Sequence, residues 1–172
     1  MPIGTEVEGK GPQGTFLFEK NIDTNIFLAG GIGITPFRSM IKYNIDKQSL
    51  PLRGKNLNIP MYLIYSNSDS DFVFKKELDK WQEENDFIKI TYFDSSVSGH
   101  LDAKKLSSLL PTYDIPHTTY YVVGSNVFVN AMEEVLEELK IFEDQIKTEK
   151  FTGYKMDNPH NLLLLPFCVY DQ

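Results

Sequence analysis

Basic residues and cysteines are scarce in this 172-residue sequence. Lys and Arg together number 17 against 24 Asp and Glu, and the resulting net charge of −7 argues against nucleic acid or an anionic membrane surface as partners. The single cysteine, Cys168, cannot form an internal disulfide, and no secretory leader is recognisable, so we expect a cytoplasmic protein. The longest apolar run, 162–170, is broken by Pro166 and is much shorter than the roughly 20 residues of a membrane-spanning helix.

Sequence motifs for several common chemistries are also missing. His100, His117 and His160 are far apart, and no His-Glu-x-x-His or paired Cys-x-x-Cys is present, so we expect no metal site. The absence of a P-loop argues against nucleoside triphosphate hydrolysis. Ser98, His100 and Asp102 have the composition of a catalytic triad, but residues two apart on a strand are separated by about 7 Å in a line. We interpret them as a loop and a helix cap.

Short apolar segments alternate with amphipathic helical patterns along the chain. The predicted strands are rich in β-branched and aromatic residues and cover 26–30, 61–66, 88–93, 120–124 and 145–151. Helices are predicted from Pro36, from near Asp71, after Asp102 and from near Asn126. The strands begin at intervals of about 30 residues, the length of one βαβ unit. The sequence therefore predicts an α/β fold with a doubly wound, Rossmann-like, five-stranded parallel sheet.

Local signals predict how the helices begin and which faces they bury. Thr35 is placed to cap the first helix, with Pro36 at its first position, and Asp71 and Asp102 are placed to cap the second and third. The residues with helical spacing that we expect to be buried are Phe37, Met40 and Ile41; Phe74, Leu78 and Trp81; Leu106, Leu109 and Leu110; and Phe128, Met132, Val135, Leu136 and Leu139.

The first predicted strand leads directly into a glycine-rich turn that opens a helix. Residues 30–36 read Gly-Gly-Ile-Gly-Ile-Thr-Pro. Glycines allow a tight turn and close backbone approach, and a helix amino terminus offers N–H groups and a positive dipole to a pyrophosphate. The turn predicts a dinucleotide or phosphate site, with a tight turn that binds nothing as the alternative. We expect Gly33→Val to abolish nucleotide binding and to leave the fold largely intact.

The turn resembles that of the ferredoxin-NADP reductase-like flavoprotein reductases, whose nucleotide domain opens with Gly-Gly-x-Gly-x-Thr-Pro. Further motifs of the family follow in order: Tyr-Ser-Asn at 65–67, DFVFKKEL at 71–78, VGSNVF at 123–128 and IKTEKFTGY at 146–154. Residues 3–19 resemble the last β-hairpin of the family's flavin-binding barrel. The resemblance implies a barrel remnant over 1–20, an NAD(P)-binding domain over 21–155 and a tail over 156–172.

The resemblance also implies roles for individual residues in hydride transfer between a nicotinamide and a flavin. The implied ligand-binding residues are Gly30, Gly31, Gly33, Ile34, Thr35 and Pro36 at the pyrophosphate, Ser66 and Asn67 beside the adenosine ribose, and Gly124, Ser125 and Asn126 beside the nicotinamide half; Glu149, Phe151 and Tyr154 are the implied catalytic residues near the flavin. Each role has a structural alternative: Ser66 and Asn67 are common turn formers, Asn126 could cap its helix, and Phe151 could be a core residue.

Departures from the family pattern bear on the cofactors. Val123 stands where many members have a cysteine, and the family's Arg, aromatic and Ser flavin signature is absent. The resemblance therefore implies that FAD is held by a missing or separate domain or subunit, from which electrons reach a further acceptor. Asp69 and Asp71 follow the second strand, where an arginine would meet a 2′-phosphate, so we expect NADH rather than NADPH, unless Lys75 or Lys76 reverses the preference. The alternative is a non-catalytic module that binds a nucleotide or a partner protein.

Overall fold

The computed structural model describes residues 6, 16–18, 23–48, 59–110 and 117–151. Strands and helices alternate along these ranges, in the order β1 Thr24–Gly30, α1 Ile34–Gln48, β2 Met61–Asn67, α2 Lys75–Glu84, β3 Ile88–Asp94, α3 Ser95–Ser98, α4 Ala103–Leu109, β4 Thr118–Ser125, α5 Asn126–Glu138 and β5 Ile146–Phe151. The 3₁₀ turn Gly31–Gly33 joins β1 to α1. The five predicted strands are confirmed with small shifts at their ends, whereas the short helix α3 was not predicted.

The strands form one parallel sheet in the order β3-β2-β1-β4-β5. Side chains alternate between the two faces of the sheet, so each strand contributes to two apolar clusters. Phe27 and Ala29 pack with residues of α1 and α2 on one face, while Ile26 and Leu28 pack with residues of α4 and α5 on the other. The doubly wound α/β fold is therefore confirmed. The connections diverge between β1 and β4, which is the topological switch point where such sheets bind ligands.

The helices bury most of the residues that their spacing predicted. Those that are buried as expected are Phe37, Met40, Ile41, Leu78, Trp81, Leu106, Met132 and Leu136, whereas Leu109, Leu110, Phe128, Val135 and Leu139 are only partly buried. Two expectations were wrong in detail. Phe74 lies before α2 and is 38% exposed, and Val129, which was not expected in the core, is fully buried. Four of the five partly buried residues lie at helix ends: Phe128 is in the first turn of α5, Leu109 ends α4, and Leu110 and Leu139 follow α4 and α5.

Two of the predicted helix caps were wrong. The 3₁₀ turn brings the start of α1 forward to Ile34, so Thr35 lies inside the helix and donates its hydroxyl proton to the carbonyl oxygen of Ile32 over 3.0 Å. Pro36 is accordingly the third helical residue and not the first. Asp71 does not cap α2, because the residue before that helix is Phe74, in the left-handed conformation with φ 64°. Asp102 does cap α4, accepting the Lys105 N–H over 2.8 Å.

The described part of the N-terminal region packs on the sheet. The rings of Phe16 and Phe18 lie 5.6 and 6.4 Å from the ring of Tyr121, centroid to centroid. Apart from Glu6 and Leu17, the rest of the predicted hairpin at 3–19 lies outside the described residues, as do Tyr154 and the tail from residue 156. In the described part of the chain no helix is long and apolar enough to cross a membrane, and the same residues hold no cluster of metal-ligating side chains.

Candidate functional site

The predicted binding residues that the structure describes meet at the carboxyl edge of the sheet. Gly30 ends β1, Ser66 and Asn67 end β2, and Gly124 and Ser125 end β4. Because parallel strands direct their carboxyl ends to one edge, residues distant in sequence come together there. The glycine-rich turn and Gly124 lie on the two sides of the switch point. The residues assigned to the ribose lie one strand further along, on β2.

Gly31 is the glycine of the turn that is least crowded by the described part of the chain. Its backbone has φ 55°, a left-handed conformation that glycine adopts without the penalty a Cβ imposes. Apart from its chain neighbours, a Cβ at this position would have one neighbour within 4 Å among the described residues, the Oδ1 atom of Asn67 at 3.8 Å. The described residues therefore leave space for a ligand group beside the backbone of Gly31.

Gly33 is required by packing inside the protein. A Cβ atom on Gly33 would lie 2.1 Å from the carbonyl oxygen of Val123 and 2.9 Å from the backbone nitrogen of Gly124. Gly33 is itself buried, together with Ile34 and Pro36. The expectation that Gly33→Val spares the fold was therefore wrong: the turn sits so close to the backbone of β4 that any side chain would force them apart.

Gly30 and Gly124 lie beneath the ring of Phe128, which stands in the first turn of α5. A Cβ on Gly30 would approach the Phe128 Cγ to 2.4 Å, and one on Gly124 would approach its Cδ1 to 2.8 Å. We expected Phe128 to be a buried core residue, but its half-buried ring covers the switch point. The sequence signal that could have identified this role is its position four residues after Gly124, where the fourth strand gives way to a helix.

The amino ends of α1 and α5 both lie at this edge of the sheet. Neither helix has an acidic residue in its first turn. Ser125 caps α5, its hydroxyl oxygen accepting the Phe128 N–H over 3.3 Å, so the alternative role of Asn126 as a cap is wrong. Ser125 and Asn126 are both exposed. Two helix dipoles therefore make this edge favourable for an anion, in a protein whose net charge is negative.

Asn67 organises the loop that follows β2. Its Nδ2 group donates to the Oδ1 atom of Asp69 over 2.9 Å and to the carbonyl of Asp71 over 3.0 Å. Asp69 Oδ1 also accepts the Asp71 N–H over 2.9 Å, and Ser95 Oγ donates to the Asn67 carbonyl over 2.9 Å. The amide nitrogen of Asn67 thus acts as a turn former, and its Oδ1 atom is the part of the side chain nearest to Gly31. Ser66 is 8% exposed.

The proposed catalytic residues of β5 lie beside β4. Glu149 pairs with Val123 and Phe151 with Ser125. Glu149 is half-buried, and this burial raises the pKa of its carboxyl. Phe151 packs against the apolar cluster on the α1 face, which supports its alternative role as a core residue. The side chain of Val123 is fully buried in the same cluster. Tyr154 lies outside the described residues, and the catalytic roles of Glu149 and Phe151 stay predictions.

Comparison with known proteins identifies the family. Residues 27–134, more than half of the chain, match the family model described as the oxidoreductase NAD-binding domain. The chain belongs to the oxidoreductase NAD-binding domain family. NADH-cytochrome b5 reductase 1 of Ajellomyces capsulatus is 29% identical over 149 residues, covering 81% of this chain and 47% of that protein. The protein of the same name from Dictyostelium discoideum is 29% identical over 157 residues, covering 86% and 52%.

Solved structures show the same fold. The cytochrome b5 reductase domain of Ulva prolifera nitrate reductase superposes with a TM-score of 0.62 at 20% identity, covering 74% of this chain and 49% of that one. Ferredoxin-NADP⁺ reductase from Plasmodium falciparum, determined with 2′P-AMP, gives a TM-score of 0.61 at 23% identity, covering 81% and 57%. Together with the family model and the curated relatives, this shared fold confirms the resemblance to ferredoxin-NADP reductase-like proteins. The chain spans about half the length of the curated relatives it matches.

Proposed function

We propose that this NAD-binding domain delivers hydride from a nicotinamide dinucleotide to a flavin that another domain or subunit holds. The observation that supports this most strongly is the arrangement at the switch point, where the amino ends of α1 and α5 and the open backbone of Gly31 face one edge of the sheet. The chain covers only about half of relatives that are named NADH-cytochrome b5 reductases, and it lacks the flavin signature of the family. We therefore place the flavin outside this chain.

The geometry of the site fits a dinucleotide. The backbone of Gly31 would hold the pyrophosphate at the amino end of α1. The hydrogen bond from the Thr35 hydroxyl to the Ile32 carbonyl stabilises the 3₁₀ turn that contains Gly31. The loop built by Asn67 would hold the adenosine ribose, and Ser125 and Asn126 would flank the nicotinamide half. A bound nicotinamide supplies a hydride from its C4 atom, and a flavin accepts it at N5. The residues of this chain position the dinucleotide and need no nucleophile of their own.

We expect the purified chain to bind NADH and to contain no flavin. On its own it should not reduce ferricyanide with NADH, because the electrons have no flavin to enter. Fusing it to the flavin-binding half of the Dictyostelium relative, in place of that protein's own NAD-binding half, should restore NADH-dependent bleaching of the flavin. Anaerobic stopped-flow absorbance would measure this bleaching.

The matched control for that experiment is the same fusion carrying Gly31→Asp. A carboxylate beside the pyrophosphate would repel it, so flavin reduction by NADH should be lost while chemical reduction by dithionite is retained. Purification of the unfused chain as a yellow, FAD-bound protein would contradict the proposal. A fusion whose flavin stays oxidised while the domain still binds NADH would support a binding module instead of a reductase.

We also expect NADH to bind at least about tenfold more tightly than NADPH. The loop after β2 presents the carboxylates of Asp69 and Asp71 and no arginine, so a 2′-phosphate would meet like charge. Lys75 is poorly placed to compensate, because its Nζ atom lies 2.7 Å from Asp79 Oδ2 and 4.2 Å from the ring centroid of Tyr92. Calorimetric titration with both nucleotides would measure the preference.

Asp69→Asn should reduce the difference between the affinities for NADH and NADPH, because it removes one negative charge. It keeps an oxygen at the Oδ1 position, which accepts hydrogen bonds from Asn67 and Asp71. The control is Asp86→Asn, which makes the same charge change on an exposed residue before β3, at the opposite edge of the sheet. An equal effect of both variants would show that the net charge of the protein, and not the loop that follows β2, sets the preference for NADH over NADPH. Tighter binding of NADPH by the unmodified chain would contradict the assignment.

A further inference from the structure

Arg38, in the second turn of α1, is held by Glu77 of α2 through two contacts. The Nε atom of Arg38 lies 2.6 Å from Glu77 Oε2, and its Nη2 atom lies 2.9 Å from Oε1. A two-point pairing fixes the plane of the guanidinium, uses two of its five N–H donors and places a carboxylate against its charge. The side chains of Arg38 and Glu77 are still 38% and 32% exposed, so the pair lies at the surface and not in the core.

Two aromatic rings also hold the guanidinium in place. Its central carbon lies 4.8 Å from the ring centroid of Phe74 and 6.0 Å from that of Trp81. Phe74 adopts φ 64°, which is rare for an aromatic residue, and so its ring is directed by an unusual backbone. Trp81 is 7% exposed and anchored in the core. Arg38 is therefore confined between α1, α2 and the residue that precedes α2.

This arginine belongs to the helix that follows the glycine-rich turn, and it contacts Phe74, which ends the loop after β2. Arg38 follows the pyrophosphate turn by only a few residues, and Phe74 ends the loop that begins at Asn67. The sequence has one other arginine, Arg53, which lies outside the described residues. Arg38 is thus the one arginine that the structure describes. It contacts the end of the loop after β2, and the carboxylate of Glu77 neutralises its charge.

We propose that Glu77 is a positioning residue that sets nucleotide specificity by keeping Arg38 away from a 2′-phosphate. This inference rests on the proposed function, because it requires the adenosine ribose to lie beside Asn67. Arginine is the side chain best suited to a 2′-phosphate, and here Glu77 fixes the orientation of its guanidinium and neutralises its charge. Without Glu77, the charge of Arg38 would attract the 2′-phosphate of NADPH. With Glu77 bound to it, that charge is neutralised and the attraction is lost.

The test is calorimetric titration of the full chain with NADH and with NADPH. Glu77→Gln should shift the ratio of the two dissociation constants toward NADPH by about tenfold, the effect of one charge-assisted contact to phosphate. The affinity for NADH should change little. Glu77→Asp, which keeps the charge but is too short to hold both guanidinium nitrogens at the present distances, should give a smaller shift in the same direction. It also provides a second measurement if Glu77→Gln folds poorly.

Two controls separate release of Arg38 from a change in net charge. Glu84→Gln makes the same charge change on the same helix and breaks the Lys80–Glu84 pair, whose atoms are 3.7 Å apart, so it should leave the ratio unchanged. Arg38→Ala combined with Glu77→Gln should remove the gain in NADPH binding. An unchanged ratio in Glu77→Gln, or an equal shift in Glu84→Gln, would overturn the inference. Failure of the unmodified chain to bind either nucleotide would instead overturn the proposed function.

Discussion

Gly33→Ala is expected to destabilise the protein by more than about 4 kcal/mol, or to prevent its folding altogether. The added methyl group would lie 2.1 Å from the Val123 carbonyl oxygen and 2.5 Å from its carbon, both of which are backbone atoms of a central strand. Neither can move without breaking the pairing of β4 with β1. Thermal unfolding followed by circular dichroism, or the yield of soluble protein, would measure the loss.

The same substitution at Gly31 is the control. Gly31→Ala adds a methyl group that would make only an ordinary contact, with Asn67 Oδ1, among the described residues, so we expect it to cost the penalty for a left-handed alanine, about 1–2 kcal/mol. We expect this variant to fold and to bind NADH more weakly, since the methyl group lies beside the proposed pyrophosphate. A folded Gly33→Ala variant would contradict the close packing of the turn on β4. A Gly31→Ala variant with unchanged affinity would show that the ligand does not approach that residue.

These two glycines show what a sequence motif can and cannot predict. The strand, the turn and the helix follow from residues 26–41, because apolar runs and glycines act locally. Which glycine faces a ligand depends on β4 and α5, which come much later in the chain. The family resemblance therefore assigned both Gly31 and Gly33 to the pyrophosphate, whereas the close approach of the Val123 backbone explains Gly33 without any ligand.

Other differences have equally local causes. The short helix α3 escaped prediction because its one apolar side chain, Val97, is 82% exposed and gives no amphipathic pattern. The cap at Asp71 was wrong because Asp69 and Asn67 draw the backbone of Asp71 into their own turn. The caps at Asp102 and Ser125 instead bond to N–H groups within the first turn of their helices. A capping residue is recognisable only when no neighbour competes for its backbone.

The buried positions of the sheet were predictable because parallel strands are covered on both faces. Continuous apolar runs such as Phe27 and Leu28 or Val122 and Val123 predict a central strand, and all four residues are fully buried. Phe128 illustrates the limit of this argument. Its helical spacing predicts that its side chain points inward. The spacing does not predict that the ring faces glycines at the end of the sheet.

We expect Phe128→Ala to rescue Gly30→Ala. The three atoms nearest to a Cβ on Gly30 all belong to the Phe128 ring, at 2.4, 2.5 and 2.9 Å. Gly30→Ala alone should therefore cost about 2–3 kcal/mol, through a displaced ring or a strained strand end. In a Phe128→Ala background the same change should cost less than about 1 kcal/mol, a coupling of about 2 kcal/mol between residues in direct contact. Denaturant unfolding of the four proteins of this double-mutant cycle would measure it.

Gly33→Ala is the matched control for this rescue, because its clash is with the backbone of Val123 and not with the Phe128 ring. Phe128→Ala should leave its cost unchanged. Gly124→Ala should be rescued only in part, since its Cβ would also lie 3.1 Å from the Gly30 carbonyl oxygen. Equal costs of Gly30→Ala in both backgrounds would contradict the role assigned to the ring. If the rescued protein is stable but no longer binds NADH, the ligand also requires a glycine at position 30. The experiment would then separate the two requirements of that position, which are packing under Phe128 and space for the nucleotide.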